Sequence, residues 1–205
     1  MRYPDELCPT SGPTTLPPVR IIGLTGKAGS GKDSVADVLI GTFGFTRESF
    51  ASDLKQAVLD LDPYVRMDGT RMVRLSEIVD AYGMDDAKRR FPEVRRLLQV
   101  FGTEVIRNRD EDFWINSLQN RVLHRTSRHI VITDVRFDNE AQWIHQSHGR
   151  VYEILRPGYQ DGVINAGHAS ESGLDPSLVD DQILNDGTLE DLQLMVAGLV
   201  SSGTW

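Results

Sequence analysis

At 205 residues, with 40% hydrophobic and 25% charged content, the chain suits one globular α/β domain able to bury about 70% of its unfolded surface, and no second domain is demanded. Asp and Glu number 30 against 22 Lys and Arg, for a net charge of −8, which disfavours a sequence-independent grip on duplex DNA or anionic lipid and leaves small phosphorylated ligands compatible. The single cysteine, Cys8, excludes an internal disulfide and a thiolate zinc site and fits a reducing, cytoplasmic setting.

Residues 1–18 carry Asp5, Glu6 and a series of prolines without an apolar core. They read as a flexible extension, neither a secretory signal nor a membrane span, ahead of a single domain over 19–205. The β-branched run Val19 to Thr25 predicts a strand that enters a glycine-rich loop, Gly26-Lys27-Ala28-Gly29-Ser30-Gly31, then Lys32 and a helix with Val35, Val38 and Leu39 on one face. Gly26, Gly29 and Gly31 let backbone N–H groups turn inward around a phosphate. Lys32 adds a mobile charge, and the helix aims its N-terminal dipole at the same anion. This order predicts nucleoside triphosphate binding. Asp33 stands where a Ser or Thr would hold Mg²⁺, and Ser34 is the nearest hydroxyl.

Phe45 to Phe50 predicts a second strand and Ala51 to Lys55 opens a helix, with Ser52 or Asp53 as its cap. Residues 62–74 read as a polar loop. Helices are expected at about 75–82, 92–108 and 111–126, with no strand between them. On a helix over 92–108, Val94, Leu97, Leu98, Phe101 and Val105 form an apolar stripe, opposite a row of donors, Arg96, Gln99, Thr103 and Arg107. That row suits a phosphate and a base edge, or is a solvated face.

His129 to Ile132 predicts a buried strand that runs into Thr133, Asp134, Val135 and Arg136. In open parallel sheets ligands gather at the carboxyl ends of strands, so Asp134 and Arg136 are expected in the crevice that holds the phosphate loop. Asp134 is read as a Walker-B-like acid in preference to a helix cap. Strand Arg150 to Arg156 leads to a stretch hinged at Gly158, Gly162, Gly167 and Gly173, a lid over about 157–174. Gln182 to Asn185 is a last strand. Thr188 caps a final helix with Leu189, Leu192, Val196 and Leu199 on its buried side. The alternation predicts an α/β fold with a parallel sheet flanked by helices.

These motifs together resemble the deoxynucleoside monophosphate kinases of tailed bacteriophages, within the P-loop monophosphate kinases. The resemblance rests on Gly31-Lys32-Asp33-Ser34, Phe50 to Lys55, Leu97 to Arg107, Asp112-Phe113-Trp114, Thr133 to Phe137 with Asn139-Glu140, His168 to Glu171, and Asn185-Asp186-Gly187. It implies a P-loop kinase fold with a helical acceptor-binding insertion over about 62–126, and transfer of the ATP γ-phosphoryl to a deoxynucleoside 5′-monophosphate with Mg²⁺. It implies that Gly26, Ala28, Gly29, Ser30, Gly31, Lys32, Asp33, Ser34, Asn185 and Gly187 hold ATP, with Ser34 and Asp134 on the metal. Lys55, Arg96, Gln99, Thr103, Arg107, Trp114, Arg136, His168, Ser170 and Glu171 would hold the acceptor. Catalysis would fall to Lys32, Asp53, Asp134 and Arg136, with Asp53 either orienting the acceptor or its metal, or capping its helix. The partner expected is the small-molecule substrate, with nucleic acid and membrane disfavoured and a homodimer left open. Rival readings are a dephospho-coenzyme A or other small-metabolite kinase, a kinase of modified bases in DNA, and a nucleotide switch or ATPase without an acceptor.

Overall fold

The strand with the longest buried run lies at the middle of the sheet. β1 (Arg20–Thr25) buries Ile21, Ile22 and Leu24 and pairs in parallel with β5 (His129–Ile132) on one side and β6 (Arg150–Leu155) on the other. β2 (Thr46–Glu48) lies beyond β5 and β7 (Asp181–Leu184) beyond β6, which gives the five-stranded parallel order β2-β5-β1-β6-β7. The computed structural model describes residues 20–125, 127–158 and 173–201. The expected N-terminal extension therefore lies outside the described residues, as do most of the expected lid and its His168, Ser170 and Glu171.

A parallel sheet must be covered on both faces. One face packs on α1 (Lys32–Phe43) and α8 (Leu189–Ser201) through Val35, Val38, Leu39, Leu192 and Val196. The other packs on α6 (Phe113–Leu123) and α7 (Asp138–Gln146) through Ile115, Leu118, Ala141 and Ile144. Leu189, expected on the buried side of α8, is instead exposed in its first turn. The strands' carboxyl ends collect the loops after β1, β2, β5 and β6 at one edge, where a parallel sheet forms its ligand crevice.

A third core lies apart from the sheet. It joins Val58 of α2 (Ala51–Leu61), Val65 of β3 (Tyr64–Asp68), Leu75 and Ile78 of α3 (Leu75–Tyr82), Ala87 of α4 (Met84–Arg90), and Val94 and Leu98 of α5 (Pro92–Gln99). Leu54 and Phe101 touch both this cluster and the core under α6 and α7, so they fasten the insertion to the sheet. One expectation fails here, and one stretch left unassigned gains an element. Residues 62–74 are not a loop: β3 pairs antiparallel with β4 (Arg71–Arg74), with Val65 opposite Val73 on the core side and Tyr64 opposite Arg74 outside. The 83–91 stretch contains α4, with acids in its first turn and bases in its last, the arrangement a helix dipole favours.

The expected 92–108 helix also changes character. It is α-helical only to Gln99, and Val100–Arg107 is a π-helix. The wider turn carries Gly102 against Leu54, where an added Cβ would approach the Leu54 side chain to 2.6 Å. The phase shift exposes Val105 at 38% and turns Ile106 toward the core in its place.

Candidate active site

The loop between β1 and α1 is built as a phosphate cradle. Gly26, Gly29 and Gly31 all have positive φ, at 126°, 74° and 104°, which other residues seldom adopt. An added Cβ at Gly31 would collide with the Asn185 amide, and one at Gly26 would press on the Ile154 carbonyl of β6. Asn185 donates from Nδ2 to the Ser30 carbonyl at 2.8 Å, so it holds the loop from the end of β7. Gly187 leaves room for Asp191, whose carboxylate accepts from the backbone and hydroxyl of Thr188 at the start of α8. Asn185 and Gly187 thus shape the cradle and the adjoining cap.

Lys32 spans the loop, donating from Nζ to the carbonyls of Gly26 and Lys27 at 2.7 Å each. The Ser30 hydroxyl is buried without a hydrogen-bond partner among the described residues. A buried hydroxyl normally finds a partner, and inside a ring of glycines an oxyanion is a fitting one. Ala28 and Gly29 lie exposed at the loop's tip. Asp33, expected among the nucleotide-binding residues, is turned away. Its side chain is 82% exposed and pairs with Arg47 of β2 at 3.0 Å, while Asp37 one turn on takes the same guanidinium at 2.8 Å.

Asp134 is a cap, though of an unexpected helix. Its Oδ1 accepts from the Phe50 N–H at 2.9 Å, and its Oδ2 from Ala51 N–H at 3.0 Å and Ser49 Oγ at 2.7 Å, closing the N-terminus of α2. A loop after β5 therefore supplies the cap that the α2 sequence lacks. Asp53 lies in the first turn of α2 and does not cap it. Its carboxylate binds Ser117 Oγ and the Arg121 guanidinium of α6. Arg121 also reaches Glu48, at 3.2 Å, and donates to the Ser49 carbonyl at 2.7 Å. One guanidinium thus fixes the acids at the end of β2 and the start of α2.

The donor row on the 92–108 helix does not survive the π-turn. Arg96 is 62% exposed and pairs with Glu93 three residues earlier at 2.7 Å. Gln99 and Thr103 are half-buried. Arg107 turns inward: it pairs with the buried Glu140, donates to the Glu111 carbonyl at 3.2 Å, and lies 3.9 Å over the Phe137 ring. Trp114, expected to meet the acceptor, is a core residue 4% exposed, with its indole N–H on the Gly102 carbonyl at 3.1 Å. Lys55 stands on α2, 3.8 Å from Asp85 of α4, and Arg136 follows β5 with its backbone N–H on Glu140.

Glu140 carries no functional signal in the sequence, because it sits in a polar run that reads as a helix start. It accepts the Arg136 and Phe137 N–H groups at 2.8 and 3.2 Å, and Arg107 on its other oxygen. Burial pushes its pKa up from 4.5 to about 7, against the pull of Arg107 and in concert with the Asp134 charge. With the native state holding a proton that the unfolded chain has released, stability falls as pH rises from about 4.5 through about 7. Denaturant titrations across that window are expected to show this decline, and Glu140→Gln is expected to flatten it; an unchanged slope in the variant would assign the dependence to other groups.

Residues 67–196 match the family described as deoxynucleotide monophosphate kinase. The chain belongs to the deoxynucleotide monophosphate kinase family. Among its relatives, a protein of Acanthamoeba polyphaga mimivirus is 29% identical over 206 residues, spanning 90% of this chain and 97% of its own length. The deoxynucleoside-5′-monophosphate kinase of Escherichia phage T5 is 25% identical over 235 residues, spanning 86% of this chain and 94% of its own. The crystal structure of TT1252 from Thermus thermophilus shares the fold with a TM-score of 0.52 at 17% identity, covering 92% of this chain and 99% of that one. The chain is accordingly an enzyme that phosphorylates deoxynucleoside monophosphates, on a P-loop kinase fold, with a nucleoside triphosphate as donor.

In this kinase, Arg156, at the end of β6, places a guanidinium beside the cradle with a 3.4 Å hydrogen bond to the Gly29 carbonyl. It stands one residue past β6, a position that the rule applied to Arg136 also marks in the sequence. Among the described residues no group of three or more His, Cys, Asp or Glu could hold a metal, and no helix is long and apolar enough to cross a membrane.

Proposed function

We propose that the kinase transfers the γ-phosphoryl of Mg²⁺-ATP to the 5′-phosphate of a deoxynucleoside monophosphate in the host-cell cytoplasm. The observation that carries the donor assignment is the buried Ser30 hydroxyl, without a hydrogen-bond partner among the described residues, within a loop of three positive-φ glycines spanned by Lys32. An acceptor phosphate oxygen bonds to the γ-phosphorus as the bond to the β-bridging oxygen breaks, and ADP leaves. Such transfer needs positioning and charge stabilisation more than covalent help.

In this reading the loop N–H groups, Ser30 and Lys32 hold the β- and γ-phosphates. Arg156 adds charge at the transferring group, and Arg136 and Lys55 hold the acceptor. Asp53, fixed by Arg121 and Ser117, orients the acceptor. The residues present fit a Mg²⁺ carried mainly by the triphosphate, since that ion binds through one or two protein groups plus phosphates and water. Bound there, it neutralises charge on the β- and γ-oxygens. Ser34, half-buried in the first turn of α1, is the side chain we assign to it. Asp134 already accepts from Ser49, Phe50 and Ala51, so its charge would act on a bound ion from outside the direct ligands.

ADP formation with dAMP, dGMP, dCMP and dTMP, each beside its deoxynucleoside, tests the proposal. Turnover that requires the 5′-phosphate supports it, and hydrolysis independent of acceptor overturns it. Ser34→Ala is expected to lower turnover in a way that raised Mg²⁺ partly recovers. A silent Ser34→Ala, with loss in Asp33→Ala instead, would move the metal contact to Asp33.

A further inference from the structure

Two acids near the carboxyl end of β2 are held in different ways. Glu48, the last residue of β2, is buried and spends both carboxylate oxygens inside the protein: Oε2 accepts from Arg121 Nε at 3.2 Å and Oε1 from Arg125 Nε at 2.9 Å. Asp53, in the first turn of α2, keeps 34% of its side chain exposed. Both of its donors, Ser117 Oγ and Arg121 Nη1, fall on the one oxygen Oδ2. Its Oδ1 accepts no hydrogen bond among the described residues.

The lopsided grip on Asp53 originates in α6. Ser117 and Arg121 are four residues apart and share one face of that helix. Arg121 is itself fixed on two further sides, by Glu48 through Nε and by the Ser49 carbonyl, 2.7 Å from Nη2. A planar guanidinium held at three points has little freedom to slide along a carboxylate. With Ser117 beside it, it pins Oδ2 against α6 and leaves Oδ1 as the oxygen able to receive a ligand.

Charge selects that ligand. Arg121 and Arg125 meet Glu48 and Asp53 one for one, so the cluster has no surplus cation to draw in a phosphate. A carboxylate oxygen accepts hydrogen bonds and repels another oxyanion, so the group it takes is a donor. A deoxynucleoside monophosphate offers the 3′-hydroxyl of its sugar and the N–H groups of its base. The N–H groups change from base to base, and the hydroxyl is common to all four.

We infer that Arg121 is a positioning residue that presents Asp53 Oδ1 to the acceptor, and that this oxygen accepts a hydrogen bond from the 3′-hydroxyl of the deoxyribose. The inference rests on the proposed role of Asp53, and adds the α6 residue that sets its orientation and the group it receives. Arg125, whose side chain meets Glu48 alone among the described residues, supports the structure only.

A deoxynucleoside monophosphate and its 2′,3′-dideoxy analogue, compared by kcat/KM, read this contact. Wild type is expected to favour the hydroxylated substrate by about 10-fold or more, as for a hydrogen bond to a charged group. Arg121→Met and Asp53→Ala are each expected to bring that preference to within about 2-fold of parity, because the two perturbations act on one contact. Arg125→Met also takes a cation from the buried Glu48, so it is expected to lower Tm as Arg121→Met does, yet to keep the wild-type preference. If Arg121→Met does not fold, Arg121→Lys replaces it: one ammonium cannot meet three acceptors, and the preference is expected to fall by about 3-fold or more. Equal use of both substrates by wild type, or a wild-type preference in the Arg121 variant, overturns the inference. A preference lost as fully in Arg125→Met as in Arg121→Met also overturns it. A wild type that transfers to none of the four deoxynucleoside monophosphates overturns the proposed function instead. In that case calorimetric affinities for the same two monophosphates decide: a preference that Arg121→Met abolishes still supports the contact, and equal affinities still overturn it.

Discussion

Arg107→Ala is expected to destabilise the protein by about 3–5 kcal/mol, because it leaves the buried Glu140 carboxylate without its cation. For a chain of this size that corresponds to a fall in Tm on the order of 10 °C. The loss is expected to grow with pH. Burial already raises the Glu140 pKa to about 7, and without Arg107, the strongest influence drawing it down, it rises further. At pH 5.5 a protonated Glu140 tolerates burial, whereas at pH 8 ionisation in an apolar site opposes folding. Thermal melts of wild type and variant at both values test this. A variant with wild-type Tm and a raised KM for the monophosphate would show that Arg107 serves the acceptor, as the sequence pattern suggested. Pairing Arg107→Met with Glu140→Gln should recover much of the loss, since the penalty arises from the stranded charge and not from the missing contact.

Lys32→Ala is expected to lower kcat by roughly 10²–10³-fold or more, the range seen when one preorganised donor to developing charge is removed. Tm should stay near that of wild type, because the ammonium serves loop carbonyls at the rim of the crevice rather than a core. Single-turnover kinetics with saturating ATP separates a lost chemical step from lost binding. Near-normal turnover would remove the glycine loop from the mechanism.

The glycine loop, the parallel sheet and the helices covering it were legible because each rests on a local pattern. A β-branched run entering a glycine turn, or Val35, Val38 and Leu39 on one helical face, is visible in a short window. The β3–β4 hairpin escaped since its strands are short and carry Arg66, Arg71 and Arg74, yet Asp68-Gly69 was a hairpin signal in plain view. Charge asymmetry likewise marks α4, with acids in its first turn and bases in its last. Other features had no local signal at all. Asp134 caps a helix 83 residues earlier in the chain, counted to Ala51, through contacts that only the sheet order creates. The inward turn of Arg107 depends on a π-helix, and a projection at about 100° per residue cannot foresee one.

The π-helix also bears on how this stretch can differ in length between relatives. A turn closed by i→i+5 bonds holds one residue more than an α-turn, so a one-residue deletion within Val100–Arg107 can be absorbed by tightening, with α5 and α6 left in place. Such a deletion would rotate the residues near Gly102 out of phase with Leu54 and carry the guanidinium at 107 off Glu140. Side chains beyond the deletion, from Asp112 onward, would keep their surroundings. Length variation and the identity of the residue facing α7 are thereby coupled at this one site, and residues matched by position along the helix need not occupy the same place in space.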